Sequence, residues 1–423
     1  MKLLIGGSPC THWSIAQTKN RETEASGIGW ELFLNYRIAR DKYKPDYFLY
    51  ENNKSMSPAI RTQITAELGV EPVLINSALV SAQNRQRLYW VGRRNPDGTY
   101  SQVPVEQPVD RGILLQDILE TGAVTWKEKA YTLRASAGTK QGVSNILRHI
   151  ETNGKFGYMG VAEPVAIKPL TEREMDYMVG EHGKYSDRWT YLQRPGEADK
   201  ALCITANVHR GVPYNICAEP VRIGTIENDA KNPDHDSQQY RVYSPDGKSV
   251  TLCGNGGGLG AKTALYATPI GGPDGRVCPI YEVRDGFITI KGKRYPIKLR
   301  DGFYIIRKLT VRECMRLQTV PEEYVFPVSN SQAYKMLGNG WTVDVIAHIM
   351  SRFTGLTEEP VEVLSMYDGM SCGHIALDKL GAEITSYHAT EIDRFAIQTT
   401  QHNFPDTVQL GDAFQVREEN WQL

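Results

Sequence analysis

The chain has 423 residues, 41% of them hydrophobic, and a formal net charge of −1. This length predicts two or three domains, because a single core stops growing at about 250–300 residues. There is no apolar run of the roughly 18 residues that a membrane span needs, and no N-terminal signal pattern, so we expect a cytoplasmic protein without a membrane partner. The seven cysteines are scattered and never spaced Cys-x-x-Cys, which argues against a disulfide framework and predicts no metal.

Charge is distributed unevenly along the chain. Residues 291–316 carry nine Lys or Arg and two acids, whereas residues 354–423 carry twelve acids and three bases. A basic stripe can face a polyanion while an acidic lobe points away from it. A solvated charged face is the simpler interpretation of such a run taken by itself.

The first predicted element is a buried strand over residues 3–5, which is followed by Gly6–Cys10. Glycines let the backbone turn sharply, and the carboxyl end of a strand is where open α/β sheets bind ligands. The pattern therefore makes Cys10 a candidate nucleophile, although most free cysteines are buried and inert. The polar segment 11–29 ends in two glycines and is predicted to be a mobile loop that closes over the site.

Helices and strands alternate as far as residue 91. We predict helices over residues 30–42 and 60–68 and strands over residues 47–50, 73–75 and 88–91. Glu51 directly follows the first of these strands, which places its carboxyl group in a cleft. Arg85 and Arg87 stand two residues apart at the start of the last strand, so we expect both side chains on the same face. An exposed pair at a sheet edge is the alternative.

Residues 95–305 differ in composition and are rich in Gly, Pro, Asn and Tyr. The segment 129–135 recurs in outline at 200–206 and 248–254, which predicts three copies of a small β unit. Glycine loops such as 255–260 can approach a phosphate backbone closely. A repetitive β domain with tight turns explains the same pattern equally well.

Helices return after residue 305. Thr310 followed by Glu313 forms a capping box for a helix over residues 309–318. A glycine turn at 338–340 then opens a second helix that is predicted to reach residue 353.

The last block is typical of a nucleotide-binding βαβ unit. A strand over 361–366 leads into a glycine turn and a helix over 374–380. Glu391 follows the next strand, 18 residues after Gly373, where such units place an acid near ribose hydroxyls. Asp412 ends a third strand.

Eight short motifs in this chain resemble those of the DNA cytosine-C5 methyltransferases. In chain order they are Ser8-Pro9-Cys10, Glu51-Asn52-Asn53, Gln83-x-Arg85-x-Arg87, Leu309–Gln318, Gly338-Asn339 with Val343, Asp368-Gly369-x-x-x-Gly373, Glu391 and Asp412. Asn53 departs from the valine of the family's Glu-Asn-Val motif. The family normally begins with its cofactor motifs, which come last here. The chain therefore resembles a circularly permuted member, similar to phage and bacterial enzymes and, at Trp341, to the catalytic domain of the animal de novo enzymes.

This resemblance implies an α/β fold: a Rossmann-like methyltransferase sheet with an inserted, mostly-β target recognition domain. The implied segments are a catalytic half (1–95), a target recognition domain with three β repeats (96–305), return helices (306–357) and a cofactor-binding half (358–423). The implied activity is methyl transfer from S-adenosyl-L-methionine to C5 of a flipped-out cytosine in double-stranded DNA, through a covalent cysteine adduct. A monomer is expected.

The resemblance also assigns residue roles. The catalytic residues are Cys10, Glu51, Arg85 and Arg87, with Arg85 expected to favour the Cys10 thiolate. The residues expected to bind the cofactor are Tyr367, Asp368, Gly369, Met370, Gly373, Glu391, Ile392, Asp412, Ala413, Asn339, Gly340 and Trp341. The residues expected to contact DNA are Ser14, Gln17, Arg134, Arg210, Asn255, Lys293 and Arg294.

Three other functions were weighed against these residues. An RNA cytosine-5 methyltransferase of the same fold would share nearly every motif, but its recognition domain is small. A catalytically silent DNA-binding module would be expected to lack Cys10, Glu51 or Arg85, and all three are present. A nicotinamide oxidoreductase could use the unit at 368–393 but would not explain the first and third motifs.

Overall fold

The structure is a computed structural model of the chain. The residues that it describes are 1–14, 21–120, 122–135, 143–152, 159–165, 192–193, 216–217, 242–243, 265–266, 280–290 and 293–423. They fall into two compact units, one formed by residues 1–159 with 308–423 and the other by residues 160–307.

The strands of the described residues are β1 (Lys2–Gly6), β2 (Tyr47–Asn53), β3 (Pro72–Asn76), β4 (Gln83–Asn84), β5 (Gln86–Arg94), β6 (Tyr100–Gln102), β7 (Ala130–Tyr131), β8 (Gly160–Val165), β9 (Leu192–Gln193), β10 (Ile216–Cys217), β11 (Val242–Tyr243), β12 (Leu265–Tyr266), β13 (Ile280–Arg284), β14 (Phe287–Ile290), β15 (Lys293–Pro296), β16 (Gly302–Lys308), β17 (Val361–Met366), β18 (Ile384–Thr390) and β19 (Val408–Gly411). The α-helices are α1 (Gly27–Tyr43), α2 (Pro58–Leu68), α3 (Val143–Glu151), α4 (Val311–Leu317), α5 (Asn330–Asn339), α6 (Val343–Met350), α7 (Cys372–Leu380) and α8 (Arg394–Asn403).

The first unit is built on one sheet with the strand order β19-β18-β17-β1-β2-β5-β3, and β6 also pairs with β5. The strands from β19 to β2 are parallel, whereas β5 is antiparallel to β2, β3 and β6. From β17 the chain winds outward to β18 and β19, and from β1 it winds the opposite way. The gap between β17 and β1 is thus a topological switch point, where α/β sheets bind ligands at the carboxyl ends of the strands. The predicted Rossmann-like fold is confirmed.

The central strands are apolar because both faces of the sheet are covered. Leu3, Leu4 and Ile5 of β1 are fully buried, and every residue of β2 is buried. Helix α1 packs an aromatic face against β2, with the Tyr36 and Tyr50 rings 4.8 Å apart. This packing fixes the carboxyl ends of β1 and β2 beside each other.

The C-terminal block completes the sheet beside the N-terminal strand, as the permuted motif order predicts. The backbone nitrogen of Met1 donates to the Pro360 carbonyl at 2.7 Å, and Glu362 N donates to Met1 O at 2.9 Å. At the end of α1, Lys42 Nζ donates to the Glu418 carbonyl at 2.6 Å and Tyr43 OH to the Glu362 carbonyl at 2.9 Å. Residues near both ends of the chain therefore pack around the C-terminal end of α1.

The segment 96–159 belongs to the first unit, so the inserted unit begins at residue 160 instead of the predicted 96. The reason is a set of contacts that sequence patterns do not encode. Strand β6 pairs with β5, Arg316 Nη1 donates to the Ile118 carbonyl at 3.0 Å, and Glu120 N donates to Glu313 Oε1 at 3.0 Å.

The second unit contains a five-stranded sheet in the order β15-β14-β13-β16-β8. Two short parallel pairs, β9 with β10 and β11 with β12, are also described. Repeat copies 200–206 and 248–254 lie outside the described residues, so the three-repeat prediction stays a prediction.

Two local predictions have different outcomes. The capping box of α4 is confirmed, since Thr310 N donates to Glu313 Oε2 at 2.8 Å and Glu313 N to Thr310 Oγ1 at 3.1 Å. The glycines that close segment 11–29 were expected to form a hinge, but Gly27 and Gly29 lie in the first turn of α1. A Cβ at Gly29 would lie 2.6 Å from Trp13 Nε1, so this glycine allows close packing.

Candidate active site

The loop that carries Cys10 is held by the end of the neighbouring strand β2. Asn52 Nδ2 donates to the Ser8 carbonyl at 3.1 Å and to Tyr50 OH at 3.1 Å, and Ser8 Oγ lies 2.7 Å from Tyr50 OH. All three side chains are buried. Cys10 then begins a short 3-10 helix, Cys10–His12, at the carboxyl end of β1.

The chain after Cys10 is anchored through Trp13, which is fully buried. Its indole nitrogen donates to Glu22 Oε2 at 3.1 Å, and the same carboxylate accepts from Gly29 N at 3.2 Å. Glu22 N in turn donates to the His12 carbonyl at 2.9 Å. Both described flanks of this loop are therefore fixed to the start of α1. Ser14 lies beside this anchor, and Gln17 lies outside the described residues.

Each carboxyl oxygen of Glu51 lies within hydrogen-bond distance of one donor. Arg87 Nε lies 3.0 Å from Oε1, and Trp341 Nε1 donates to Oε2 at 2.8 Å. Position 7 faces Glu51 and requires glycine, because a Cβ at Gly7 would lie 2.7 Å from the Glu51 carbonyl oxygen and 3.0 Å from Oε2. The carboxyl group is thus fixed between the Cys10 loop and the turn that contains Trp341.

Arg85 is 3% exposed and directs its guanidinium group to main-chain carbonyls. It donates to Gly338 O at 3.2 Å, to Gly340 O at 2.8 Å and to Leu133 O at 3.3 Å. The sequence predicted that Arg85 would favour the Cys10 thiolate, and that role stays a prediction. In the structure Arg85 organises the turn after α5, and Arg87, two residues on, contacts Glu51.

Gln318 supports the same turn, a role that its place in a motif did not reveal. Its Nε2 donates to Leu337 O at 2.6 Å and to Gly340 O at 3.2 Å, while Oε1 accepts from Thr342 Oγ1 at 2.9 Å. Gly338 allows the end of α5 to pack closely against Ala135, because a Cβ on residue 338 would lie 2.3 Å from the Ala135 nitrogen. Main-chain carbonyls carry no sequence signal, so these contacts could not have been predicted.

The glycine turn after β17 is strongly curved. Tyr367, Gly369 and Ser371 all have positive φ, at 60°, 62° and 56°. Asp368 accepts from Ser365 Oγ at 2.6 Å, from Tyr387 OH at 2.8 Å and from Ser371 Oγ. Burial raises the pKa of Asp368. Its carboxyl group therefore braces the turn from inside the protein.

The other predicted cofactor residues divide into buried and open positions. Met370 and Ala413 are buried, and a Cβ at Gly373 would lie 2.1 Å from Ile5 Cδ1, so these residues shape the turn. The residues at the carboxyl edge of the sheet are more open: Gly369, Glu391, Ile392 and Asp412.

Glu391 is oriented by three backbone donors. Oε2 accepts from Gly369 N at 2.9 Å, and Oε1 accepts from Ile392 N and Asp393 N, both at 2.7 Å. Ile392 is 74% exposed beside it. Asp412 caps the last 3-10 helix through Phe414 N at 3.0 Å. Two carboxylates and an exposed apolar side chain thus line the edge of the sheet next to the switch point.

The turn at 339–341 lies against this edge. A Cβ at Gly340 would be 3.2 Å from Cys372 Sγ. Asn339 is exposed at the end of α5. The turn therefore contacts the first residue of α7 as well as Glu51.

The described DNA candidates are divided between the two units. Lys293 and Arg294 are exposed on β15, in the second unit, and Arg134 is exposed in the first unit. Within the basic run, Arg307 pairs with Glu163, and Arg312 and Arg316 both pair with Glu322. Carboxylates thus neutralise three of the nine bases. Arg210 and Asn255 lie outside the described residues.

The sequence model of the C-5 cytosine-specific DNA methylases matches residues 1–159 and 287–354, more than half of the chain. The chain belongs to this family. It is 24% identical over 405 residues to the orphan methyltransferase M.SPRI of Bacillus phage SPR, covering 82% of this chain and 81% of that protein. It is 26% identical over 436 residues to the orphan methyltransferase M.Rho11sI of Bacillus phage rho11s, covering 82% and 83%.

Among solved structures, the methyltransferase EhMeth of Entamoeba histolytica is 12% identical and covers 83% of this chain and 76% of its own, with a TM-score of 0.32. The methylase match ends at residue 354, before β17. In the present chain the strands that follow residue 354, β17 to β19, join the sheet beside β1 and complete its parallel half. Within the described residues no helix could span a membrane, and no cluster of three potential metal ligands occurs.

Proposed function

We propose that the chain transfers a methyl group from S-adenosyl-L-methionine to C5 of cytosine in double-stranded DNA. One observation supports this most directly. The Cys10 loop and Glu51 end adjacent parallel strands, and Asn52 and Ser8 hold them together. A nucleophile and a carboxyl group on neighbouring strand ends are what addition to a cytosine ring requires.

The open edge next to the switch point suits the cofactor. No heavy atom lies within 4 Å of a Cβ placed on Gly369, and its N–H orients Glu391. Glu391 would accept from the ribose hydroxyls, Asp412 would accept from the adenine amine, and Ile392 would pack on the adenine ring. When bound, the sulfonium group of S-adenosylmethionine supplies an electrophilic methyl group.

Cys10 provides covalent catalysis, because C5 of cytosine is a poor nucleophile. Addition of the Cys10 thiolate to C6 forms a C–S bond and moves electron density to C5. The carboxyl group of Glu51 gives a proton to N3 and accepts from the exocyclic amine, and Arg87 keeps it in place. C5 then takes the methyl group from the sulfonium, which becomes a neutral thioether. The C5 proton passes to solvent, its electrons restore the C5–C6 double bond, the Cys10 thiolate leaves, and N3 returns its proton to Glu51.

The base has to leave the helix for this chemistry. Addition at C6 cannot take place inside the base stack, and flipping costs a few kcal/mol. We propose that the segment after Cys10 closes over the flipped base. We further propose that the inserted unit, residues 160–307, with Arg134, Lys293 and Arg294, contacts the DNA, and that the enzyme acts in the cytoplasm of a bacterial or phage-infected cell.

The test is methyl transfer with isotopically labelled cofactor. The protein is incubated with S-adenosylmethionine carrying a trideuterated methyl group and with either duplex DNA or transfer RNA, and the nucleosides are separated by mass spectrometry. We expect deuterated 5-methylcytosine in the DNA, none with Cys10→Ala, and wild-type yield with Cys314→Ala, which removes a buried thiol from α4. Label in RNA alone, or on another base position, would contradict the proposal.

A further inference from the structure

The turn that contains Trp341 adjoins both halves of the site. The Trp341 indole nitrogen donates to Glu51 Oε2 at 2.8 Å, although 290 residues separate the two in sequence. At the preceding residue, a Cβ on Gly340 would lie 3.2 Å from the sulfur of Cys372, the first residue of α7. The sequence suggested that this side chain packs on the cofactor. The structure adds a polar contact with the carboxyl group that faces the base.

The turn that presents Trp341 is fixed by its neighbours. Gly340 O accepts from Arg85 at 2.8 Å and from Gln318 at 3.2 Å, and Gly340 N donates to Met336 O at 2.7 Å. Because both acceptor and donor of Gly340 are engaged, the indole approaches Glu51 from a rigid support. A partly buried donor held in this way fixes a carboxyl group at little entropic cost.

The groups that face Glu51 within the described residues are few. Arg87 on β5 pairs with Oε1, and the phenols of Tyr50 and Tyr89 lie nearby. Burial raises the pKa of both phenols, so both stay neutral across the working pH range. Arg87 and Trp341 are both donors, one to each oxygen of the carboxyl group.

We propose that Trp341 is a positioning residue for Glu51, whose indole N–H orients the carboxyl group toward the base. This inference rests on the proposed function, in which Glu51 contacts N3 of cytosine. Arg85 and Gln318 then act on the carboxyl group indirectly, through the turn that presents the indole. Packing of the ring on the cofactor alone is the competing account.

The contact can be tested without any catalytic readout. The protein is labelled with ¹⁵N at its seven tryptophan indoles, and the Trp341 signal is identified by its loss in Trp341→Phe. We expect this signal to move in Glu51→Gln, because the indole N–H then loses its carboxylate acceptor. Two internal controls exist, since Trp13 donates to Glu22 and Trp90 donates to the hydroxyl of Thr65. Neither control should change with Glu51→Gln, and an unchanged Trp341 signal would overturn the proposal.

Kinetics separate positioning from cofactor packing. Trp341→Phe keeps an aromatic ring but removes the donor, so we expect kcat to fall about tenfold or more. Cofactor affinity measured by calorimetry should stay within about twofold. Weaker cofactor binding with an unchanged kcat would overturn the proposal.

The two tests also distinguish this proposal from the proposed function. If the wild type methylates no cytosine but the Trp341 signal moves in Glu51→Gln, the proposed reaction fails and the positioning contact stands. If the wild type methylates DNA and the Trp341 signal is the same in Glu51→Gln, the reaction stands and the positioning role fails.

Discussion

Replacing Arg85 by lysine tests what this buried guanidinium group does. Arg85 donates to the carbonyl oxygens of Gly338, Gly340 and Leu133. If it served only as a positive charge, lysine would replace it with little loss. If it organises the turn after α5, lysine should fail, because one ammonium group lacks the fork geometry that reaches three carbonyls.

The size of the effect follows from the hydrogen bonds lost. A lysine at this position can satisfy one of the three buried carbonyls and leaves two without this donor. Hydrogen bonds that involve a charged group contribute about 1.5–3 kcal/mol each. We therefore expect Arg85→Lys to lower the free energy of unfolding of the first unit by about 3–6 kcal/mol.

Urea unfolding followed by tryptophan fluorescence measures this loss. Six of the seven tryptophans lie outside residues 160–307, so the signal reports mainly the first unit. The matched control is Arg93→Lys, the same substitution at an exposed position of β5. A loss below about 1 kcal/mol, or one equal to that of the control, would refute the reasoning.

The remaining predictions concern single contacts in the first unit. Thr310→Ala should cost about 1 kcal/mol in urea unfolding because it removes the capping box of α4, whereas Thr310→Ser should retain it; equal losses would contradict this account. Gly338→Ala should lower the melting temperature markedly, since its Cβ would lie 2.3 Å from the Ala135 nitrogen, and an unchanged melting temperature would show that the turn can move. Burial raises the pKa of Asp368, so the native state binds this proton more tightly than the unfolded chain, and the stability that this group contributes falls as pH rises from about 3.8. Asp368→Asn has no such proton, so the unfolding free energy of the wild type minus that of Asp368→Asn should fall with rising pH, and a rise would contradict the assignment.

The sequence predicted the fold where local pattern and burial agree. The apolar run in β1 and the strand over 361–366 were correctly placed because each is covered on both faces of the sheet. The order of the motifs also predicted that the last block would join the first strand. The start of the inserted unit was wrong, because residues 96–159 are held to the first unit by contacts with β5 and α4.

Within the site, sequence motifs identified residues but not all of their partners. Glu51 was recognised by its place after a strand, yet its contact with Trp341 spans 290 residues and has no local pattern. Arg85 belongs to a recognised motif, but its partners are main-chain carbonyls that any residue could supply. Pairings of this kind depend on the assembled fold and therefore could not be read from residue types.

A covalent adduct with a modified base tests most directly whether Cys10 is the nucleophile. Duplex DNA containing 5-fluorocytosine is incubated with the protein and S-adenosylmethionine, because fluorine at C5 cannot leave as a proton does and the adduct persists. The crosslinked peptide is then identified by mass spectrometry. We expect one adduct, at Cys10, that is absent in Cys10→Ala. An adduct on another cysteine, or methylated DNA with no adduct at all, would contradict it.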